Sequence, residues 1–337
     1  MKITHNKQYK QLLEKIGTTF QKHQRQAIAH VYKEKLMAYW TIGQYILEYE
    51  QAGKIKAEYG KQLLVQLTKD LKPRLGKGFS RSNLYQMRQF YLKYPKIQTV
   101  SGKLSWSHYV ELLSISDDLE RSFYEQQTLI ENWSVRELKR QKSTALFHRL
   151  ALSKDKEGIL KLAKKGHQVQ APTDLTKDPY IFEFLGLPED SLYSELELEK
   201  RLINKLQQFL LELGKGFAFI GRQYRITLNN KHYRVDLVFY HRILKCFVLI
   251  DLKVDKLQHH DIGQMNMYLN YFKTEENVTD DNEPIGIILT TDKDEVLVEY
   301  ATGGLTNQLF VSKYQIYLPD RQSLEQQVKA ILDQEES

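Results

Sequence analysis

Hydrophobic residues in the first half of the chain recur at steps of three and four, the spacing of one face of a helix. This pattern covers residues 9–47 in two stretches. Gly53 and Gly60 predict a break, and a further helix is predicted over residues 61–72, where Pro73 ends it. The first half of the chain is therefore predicted to be helical.

A glycine-rich segment precedes another predicted helix. Residues 76–79 read Gly-Lys-Gly-Phe, and Ser80 is a candidate N-cap. The helix then carries Arg81, Asn83 and Arg88, an arrangement that would allow a helix after a turn to enter a DNA major groove. The alternative is an exposed basic helix that contacts no nucleic acid. Both interpretations stay open at this point.

The second half of the chain changes its hydrophobic period. After a predicted helix over residues 196–213, three strand-like segments follow, and Asn229 and Asn230 form a hairpin turn between the first two. Strands covered by helices predict an α/β domain. The strands are predicted at 218–228, 231–240, 246–254, 284–291 and 309–318, and the later helices at 259–272, 294–300 and 323–332.

The helical pattern weakens between the two halves. Residues 151–178 combine charged stretches with Pro172, and they are predicted to be a linker. The sequence thus predicts a basic helical domain over residues 8–150 and an α/β domain over residues 179–333.

The chain has 337 residues and a net charge of +7, which conceals an asymmetry between its halves. Residues 1–170 contain 31 Lys and Arg against 15 Asp and Glu, whereas residues 171–337 contain 18 against 27. Lys and Arg displace the counterions of a polyphosphate, so the first half is a candidate nucleic-acid-binding region. Solvated helix faces would explain the same excess of basic residues.

Cysteine content and hydropathy limit the class of protein. The single cysteine, Cys246, excludes an internal disulfide and a cysteine-based zinc cluster. No apolar run reaches the length of a membrane span, and the first residues lack the apolar stretch of a secretory signal. The sequence predicts a cytoplasmic protein without a membrane partner.

Three charged residues lie in two predicted strands. Asp236 interrupts an apolar strand, and Asp251 and Lys253 share one face of the next strand because strand side chains alternate. If the strands are neighbours, two carboxylates and one lysine converge. Carboxylate oxygens are ligands for Mg²⁺, and such an ion activates water and stabilises phosphate charge. A buried salt bridge is the simpler interpretation of the same residues.

Residues in two flanking helices add to this cluster. Glu199 lies on the inward side of the helix before the strands. Gln264 and Tyr268 are four residues apart in the helix after them, so they share a helix face.

The order of these motifs resembles the PD-(D/E)XK nuclease superfamily, and the Gln264–Tyr268 spacing resembles the Q-x-x-x-Y motif of RecB-type nucleases. The chain is most similar to the YhcG family of bacterial proteins, over roughly residues 8–325. The matching segments of the second half are LLELGKGFAFIGRQYR, YRVDLVFYHRILKCFVLIDLKV and GQMNMYLNYF, and those of the first half are AYWTIGQYI, GKGFSRSNLYQMRQFY, LSWSHYVELL and WSVRELKRQ.

The resemblance implies a restriction-endonuclease-like fold and assigns roles to the clustered residues. Asp236 and Asp251 would be ligands of Mg²⁺ or Mn²⁺, and Lys253 the catalytic lysine. Glu199 would be an accessory acid. The two helix residues Gln264 and Tyr268 would assist in the active site.

Two positions depart from the family pattern, and one strand residue adds a candidate contact. Val235 stands where the superfamily name has proline, and Asp251 stands where YhcG-like sequences usually have glutamate. Arg222, together with the adjacent Gln223 at a strand end, is a candidate for DNA contact or for pairing with a surface carboxylate.

The leading hypothesis is a metal-dependent DNA nuclease whose basic helical domain binds the duplex. RNA stays an alternative substrate because it presents the same phosphates. An inactive nuclease fold that serves as a DNA-binding or scaffold module, with partners in restriction or defence, is the second hypothesis. Cutting of both strands would favour a homodimer.

Overall fold

The computed structural model describes residues 7–52, 57–96, 100–188, 192–292, 294–303 and 305–333. The chain forms two compact units that divide between Lys139 and Arg140. Among the helices of these described ranges, none combines the length and the apolar character needed to cross a membrane.

The first unit is helical, as predicted. Apolar side chains on α3 form its centre, where Leu84, Met87 and Phe90 are fully buried. A Cβ atom at Gly43 would overlap the Met87 carbonyl, so the absence of a side chain lets α1 approach α3 closely. The helices are α1 (Lys7–Ala52), α2 (Ala57–Leu75), α3 (Arg81–Lys93), α4 (Trp106–Leu113), α5 (Asp118–Glu131) and α6 (Val135–Ser143), the last of which crosses the division.

Two predicted helix boundaries in this unit are wrong. Helix α2 starts at Ala57, before Gly60, and continues through Pro73 to Leu75. Proline fits the helical φ angle, and its missing N–H removes a single hydrogen bond in a helix that ends two residues later. The predicted break at Gly53 lies outside the described residues.

The start of α3 follows the sequence prediction. Residues Lys77–Phe79 form one 3₁₀ turn, and Ser80 then caps the helix. The Ser80 hydroxyl oxygen accepts a hydrogen bond from the backbone N–H of Asn83 at 3.3 Å. This bond satisfies one of the free N–H groups in the first turn.

The second unit is built around one six-stranded sheet in the order β1-β6-β5-β4-β3-β2. Strands β2, β3 and β4 are antiparallel neighbours, whereas β4, β5, β6 and β1 run parallel. The strands are β1 (Tyr180–Ile181), β2 (Phe217–Leu228), β3 (Lys231–His241), β4 (Cys246–Lys253), β5 (Ile285–Thr290) and β6 (Gln308–Gln315). The helices are α7 (Leu146–Ala151), α8 (Lys156–Lys165), α9 (Glu195–Asn204), α10 (Leu206–Leu213), α11 (His259–Tyr271), α12 (Glu295–Thr302) and α13 (Arg321–Asp333).

The hairpin between β2 and β3 forms where it was predicted. Asn229 and Asn230 have φ angles of 45° and 62°, and Leu228 pairs with Lys231 on either side of them. Positive φ at both central positions is the geometry of a tight hairpin turn that asparagine tolerates. The turn fixes the register of β3, the strand that carries Asp236.

The sheet has a hydrophobic layer on each face. Side chains of α9 and α10, including Leu198 and Phe209, pack on one face, and those of α11, including Met265 and Leu269, pack on the other. Gly286 of β5 lies under α11, where an added Cβ would come within 2.8 Å of Met265 and 3.1 Å of Leu269. Helix α11 therefore sits close to the sheet.

The segment predicted to be a linker is structured. Residues 151–178 contain α8 and a 3₁₀ turn, Pro172–Leu175. Ile159 and Leu162 of α8 are buried. The segment is part of the second compact unit. Its sequence has weak periodicity, but the burial of these apolar residues is enough to hold α8 in the unit.

A buried charge cluster attaches the start of the second unit to α10. The Glu212 carboxylate is fully buried and pairs with Arg149 at 2.8 Å and with Arg140 at 3.3 Å. It also accepts a hydrogen bond from the Ile181 backbone N–H at 3.1 Å. Lys177 donates to the Glu212 backbone carbonyl. These contacts explain why the compact unit begins at Arg140.

Candidate active site

The strand register brings Asp236 and Asp251 face to face. Leu237 of β3 pairs with Ile250 of β4, and one further step of this antiparallel register sets the two aspartates opposite each other. The Asp236 carboxylate accepts a hydrogen bond from the Leu252 backbone N–H at 2.8 Å. The convergence predicted from side-chain alternation is present in the structure.

Ionisation of both aspartates is unfavourable in this position. Burial and then the neighbouring Asp236 charge raise the pKa of Asp251 to about 7. Burial also raises the pKa of Asp236. Two carboxylates in a low-dielectric site resist simultaneous ionisation, and a cation between them would relieve that repulsion.

Lys253 lies among three carboxylates. Its ammonium nitrogen is 2.9 Å from Asp251, 3.6 Å from Asp261 and 3.9 Å from Glu195. Burial lowers the pKa of Lys253, but the Asp251 charge and the other two carboxylates outweigh burial, so the pKa rises above its ordinary value. Lys253 is therefore held as a cation. Lys253 forms a salt bridge with Asp251, and its charge also acts to lower the pKa of Asp236, although burial outweighs this effect.

Gln223 of β2 joins two acids of the site. Its amide nitrogen donates to Glu199 at 2.5 Å and to Asp236 at 3.0 Å. The residue has a φ angle of 49°, which is uncommon for glutamine within a strand. Sequence analysis named Gln223 with Arg222 as a candidate DNA contact and did not predict its place between the two acids, because nothing in the local sequence signals a left-handed residue in the middle of β2.

Glu199 supplies a free ligand atom. The side chain is 2% exposed, and its Oε1 has no hydrogen-bond partner among the described residues. Arg222 is the nearest cation in that direction, with its guanidinium 3.9 Å from Oε1 and its side chain half exposed. A buried carboxylate oxygen normally has a partner, so this atom fits a ligand of a divalent cation.

Helix α11 contributes three polar side chains to the candidate site from its first three turns. Asp261 accepts a hydrogen bond from the Gln258 backbone N–H at 2.8 Å, which caps the helix and fixes the carboxylate beside Lys253. Gln264 donates to the Tyr268 hydroxyl, which donates to the Arg234 carbonyl at 3.1 Å. Burial raises the pKa of Tyr268. Asp261 was missed by sequence analysis, although an acid in the first turn of a helix is a readable capping signal.

The candidate nucleic-acid residues of the helical unit have different environments. Arg81 is exposed. Asn83 donates to the Gly78 carbonyl and accepts a hydrogen bond from the Trp106 indole at 2.7 Å. Arg88 pairs with Glu50 at 2.6 Å. The polar atoms of Asn83 and one side of Arg88 are thus occupied within the helical unit.

Comparison with known proteins identifies the chain. A family model described as the YhcG PDDEXK nuclease domain matches residues 173–329, and one described as the DUF1016 N-terminal domain matches residues 15–149. The Escherichia coli (strain K12) protein "Putative nuclease YhcG" is 42% identical over 318 residues, which span 85% of this chain and 84% of that protein. The chain belongs to the YhcG family. Its sheet-containing domain is of the PD-(D/E)XK type, which confirms the fold class predicted from the YhcG-like motifs.

Two solved structures also resemble part of this YhcG-family chain. A repair endonuclease from Pyrococcus abyssi aligns with a TM-score of 0.27 and 21% identity over 39% of this chain and 50% of that chain. A structure titled as an EndoMS–dsDNA2 complex aligns with a TM-score of 0.27 and 16% identity over 40% of this chain and 50% of that chain. The chain spans about half the length of both structures.

Proposed function

We propose that this YhcG-family protein is a divalent-metal-dependent nuclease that hydrolyses phosphodiester bonds in DNA. The observation that carries the proposal is the facing pair Asp236 and Asp251 beside the cationic Lys253, with Glu199 linked to Asp236 through the Gln223 amide. An oxygen-only ligand set with a free Glu199 oxygen suits Mg²⁺ or Mn²⁺. Metal dependence, DNA specificity and the roles of these residues are all parts of this proposal.

Asp236, Asp251 and Glu199 would hold the cation. When bound, such an ion supplies positive charge to a phosphate and lowers the pKa of a water molecule. Asp236 is oriented for this task by two hydrogen bonds, one from Leu252 and one from Gln223. Both donors leave the Asp236 oxygens fixed in position, so little reorganisation is needed on binding.

Lys253 provides the fixed positive charge of the site. The surrounding carboxylates keep it protonated, so it can stabilise negative charge that develops on the phosphate. Gln264 and Tyr268 form a hydrogen-bonded pair anchored to β3 through the Arg234 carbonyl. Their role in this proposal is to hold α11 in position against β3, the strand that carries Asp236.

DNA binding is the proposed task of the basic helical unit together with Arg222. The helical unit, residues 1–139, contains 23 Lys and Arg against 13 Asp and Glu, and this excess supports contact with a polyphosphate. Exposed Arg81 and half-exposed Arg222 can reach phosphates directly. Asn83 and Arg88 would support the same helix, with Arg88 keeping its ion pair to Glu50.

Cleavage of supercoiled plasmid tests the proposed function. With Mg²⁺ or Mn²⁺ we expect nicking by the wild-type protein, loss of nicking on chelation, and none by Asp251→Ala. Asp255→Ala is the matched control, since Asp255 is an exposed aspartate four residues away. Equal cleavage by Asp251→Ala would contradict the site. If no variant cleaves the plasmid but all retain salt-sensitive DNA binding, the inactive-module hypothesis is favoured. If only RNA duplexes are cleaved, RNA replaces DNA as the proposed substrate.

Gln223→Ala tests the residue that links Glu199 to Asp236. We expect metal affinity or cleavage to fall by about 10- to 100-fold, because Glu199 and Asp236 lose the amide that orients them. Metal titration followed by cleavage rates at saturating metal would separate the two effects. Ile220→Ala, an exposed change on the same strand, should leave both unchanged. Wild-type metal affinity and cleavage in Gln223→Ala would remove Gln223 from the site.

A further inference from the structure

The β2–β3 hairpin continues beyond the part of the sheet in which β4 pairs with it. Its two strands pair out to Leu228 and Lys231 at the turn, whereas the pairs of β3 with β4 begin at Leu237. The five outermost residue pairs of the hairpin therefore form a two-stranded ribbon. We call residues 224–235 the β2–β3 ribbon, and it starts directly after Gln223, whose amide joins two acids of the candidate site.

One face of the β2–β3 ribbon is packed. Ile226 and Val235 are fully buried in the hydrophobic layer between the sheet and α11, and Tyr224 and Tyr233 are partly buried against the same layer. The Tyr224 hydroxyl also donates to the Glu276 carboxylate at 2.9 Å. These contacts hold the ribbon in a fixed position beside the candidate active site.

The opposite face of the β2–β3 ribbon is exposed and carries two facing arginines. Arg225 pairs with Arg234 across the strands, and Lys231 at the turn is exposed as well. Among the residues that the structure describes, no carboxylate forms an ion pair with any of these three side chains. The Arg225 guanidinium donates to the His232 ring at 2.8 Å, which supplies no negative charge. Like charges directly opposite each other destabilise a strand pair, so this face favours binding of an anion.

The sequence concentrates cations at this place. Residues 222–234 contain three Arg and one Lys and no Asp or Glu, whereas residues 171–337 as a whole contain 18 Lys and Arg against 27 acids. The local excess lies next to the acid cluster, since Arg234 is two residues from Asp236, or about 7 Å along an extended strand. Successive phosphates of a nucleic-acid strand are a similar distance apart. A strand whose phosphate lies at the aspartates can therefore present its next phosphates to the ribbon.

We propose that Arg225, Arg234 and Lys231 bind the DNA phosphates that flank the scissile bond. A two-stranded ribbon fits the major groove of B-DNA, and its cations release the counterions of the phosphates that they contact. The packed face keeps the ribbon in place, so the bound strand has a fixed position relative to the acid cluster. This inference rests on the proposed nuclease function, and it adds a DNA-binding surface within the second unit itself.

The salt dependence of DNA binding tests the proposal without any cleavage. Fluorescence anisotropy in the presence of a chelator compares full-length wild type with Arg225→Gln/Arg234→Gln on the same duplex. Each lost phosphate contact lowers the slope of log affinity against log salt concentration by about one, so we expect a decrease of about two and binding weaker by about 10-fold or more. The melting temperature should be no lower than that of wild type, because two unpaired like charges are removed.

Arg242→Gln/Lys245→Gln is the matched control. It removes the same charge from exposed positions in the turn between β3 and β4, at the other end of β3, and should keep the wild-type slope. An unchanged slope in the ribbon variant, or an equal decrease in the control, would overturn the proposal even if plasmid is cleaved. A lower slope in the ribbon variant alone, in a protein that cleaves no plasmid, would support the DNA-binding ribbon and reject the proposed nuclease function.

Photo-cross-linking tests where the DNA lies. The native Cys246 is 1% exposed, so a photoreactive thiol label reacts with an introduced cysteine. Thr227→Cys places the label on the exposed face of the ribbon and should cross-link to a duplex. Ile243→Cys is the control, because Ile243 is 44% exposed in the turn between β3 and β4, and it should cross-link little. Equal cross-linking from the two positions would reject the ribbon as the DNA-binding surface.

Discussion

Lys253→Ala is expected to lower the rate of DNA cleavage by about 10²- to 10³-fold, the usual effect of removing one preorganised charge-stabilising group. The side chain is held protonated by Asp251, Asp261 and Glu195, so its loss removes a fixed positive charge beside the facing aspartates. DNA affinity should change little, because the basic residues of the helical unit are untouched. Cleavage rates and fluorescence-anisotropy binding curves measure the two quantities.

Lys256→Ala is the control for this prediction. Lys256 is an exposed lysine three residues away, so its removal alters the same net charge without touching the acid cluster. We expect near wild-type cleavage from this variant. An equal loss of binding and cleavage in Lys253→Ala, or equal defects in both variants, would show that Lys253 acts by general attraction of DNA and not in catalysis.

Glu212→Ala is expected to destabilise the nuclease unit by about 3–5 kcal/mol, because it leaves the buried Arg149 without its carboxylate, whereas the partly buried Arg140 keeps its ion pair with Glu183 at 2.8 Å. The Ile181 backbone N–H also loses its acceptor at the edge of the sheet. Thermal unfolding followed by circular dichroism measures the change. Glu197→Ala, which breaks an exposed ion pair with Arg201, should cost less than about 1 kcal/mol. A wild-type melting temperature for Glu212→Ala would contradict this account of the cluster.

The pH dependence of the same cluster has a defined sign. Burial acts to raise the pKa of Glu212. The charges of Arg149, Lys177 and Arg140 act in the opposite direction and together outweigh burial, so the folded-state pKa lies below its ordinary value. A lowered carboxyl pKa stabilises the fold above the unfolded pKa of about 4.3, and this contribution is lost as pH falls through the folded pKa. The stability gap between wild type and Glu212→Gln should therefore be constant near pH 7 and narrow below about pH 4.

The strand residues of the site were predictable because their signal is local. Charged Asp236 in an apolar strand and the alternation of Asp251 and Lys253 are visible in any sequence. Gln223 was not predictable, since its role depends on a positive φ angle and on the register between β2 and β3. Asp261 was predictable as a capping residue, because it is an acid in the first turn of α11, but its contact with Lys253 depends on the fold.

Helix boundaries were less predictable than strands. One helix was predicted over residues 196–213, whereas the structure has α9 and α10 with a break at Lys205. Apolar residues continue on one side through the break, so the periodicity does not report it. The helix within residues 151–178 was not predicted for the opposite reason. Its few apolar residues give a weak pattern, yet Ile159 and Leu162 are buried.

The absence of a side chain at Gly286 makes the candidate active site dependent on the distance between α11 and the sheet. Asp261 contacts Lys253 and Tyr268 contacts the Arg234 carbonyl from α11, while Gln264 donates to Tyr268. This helix rests where β5 has no side chain. A larger residue at Gly286 would press on buried Met265 and Leu269 and lift the helix as a body. Three site residues would then move together, although none of them had changed. The positions of these proposed site residues thus depend on the thickness of the α11–sheet interface, at a position that has no functional group of its own.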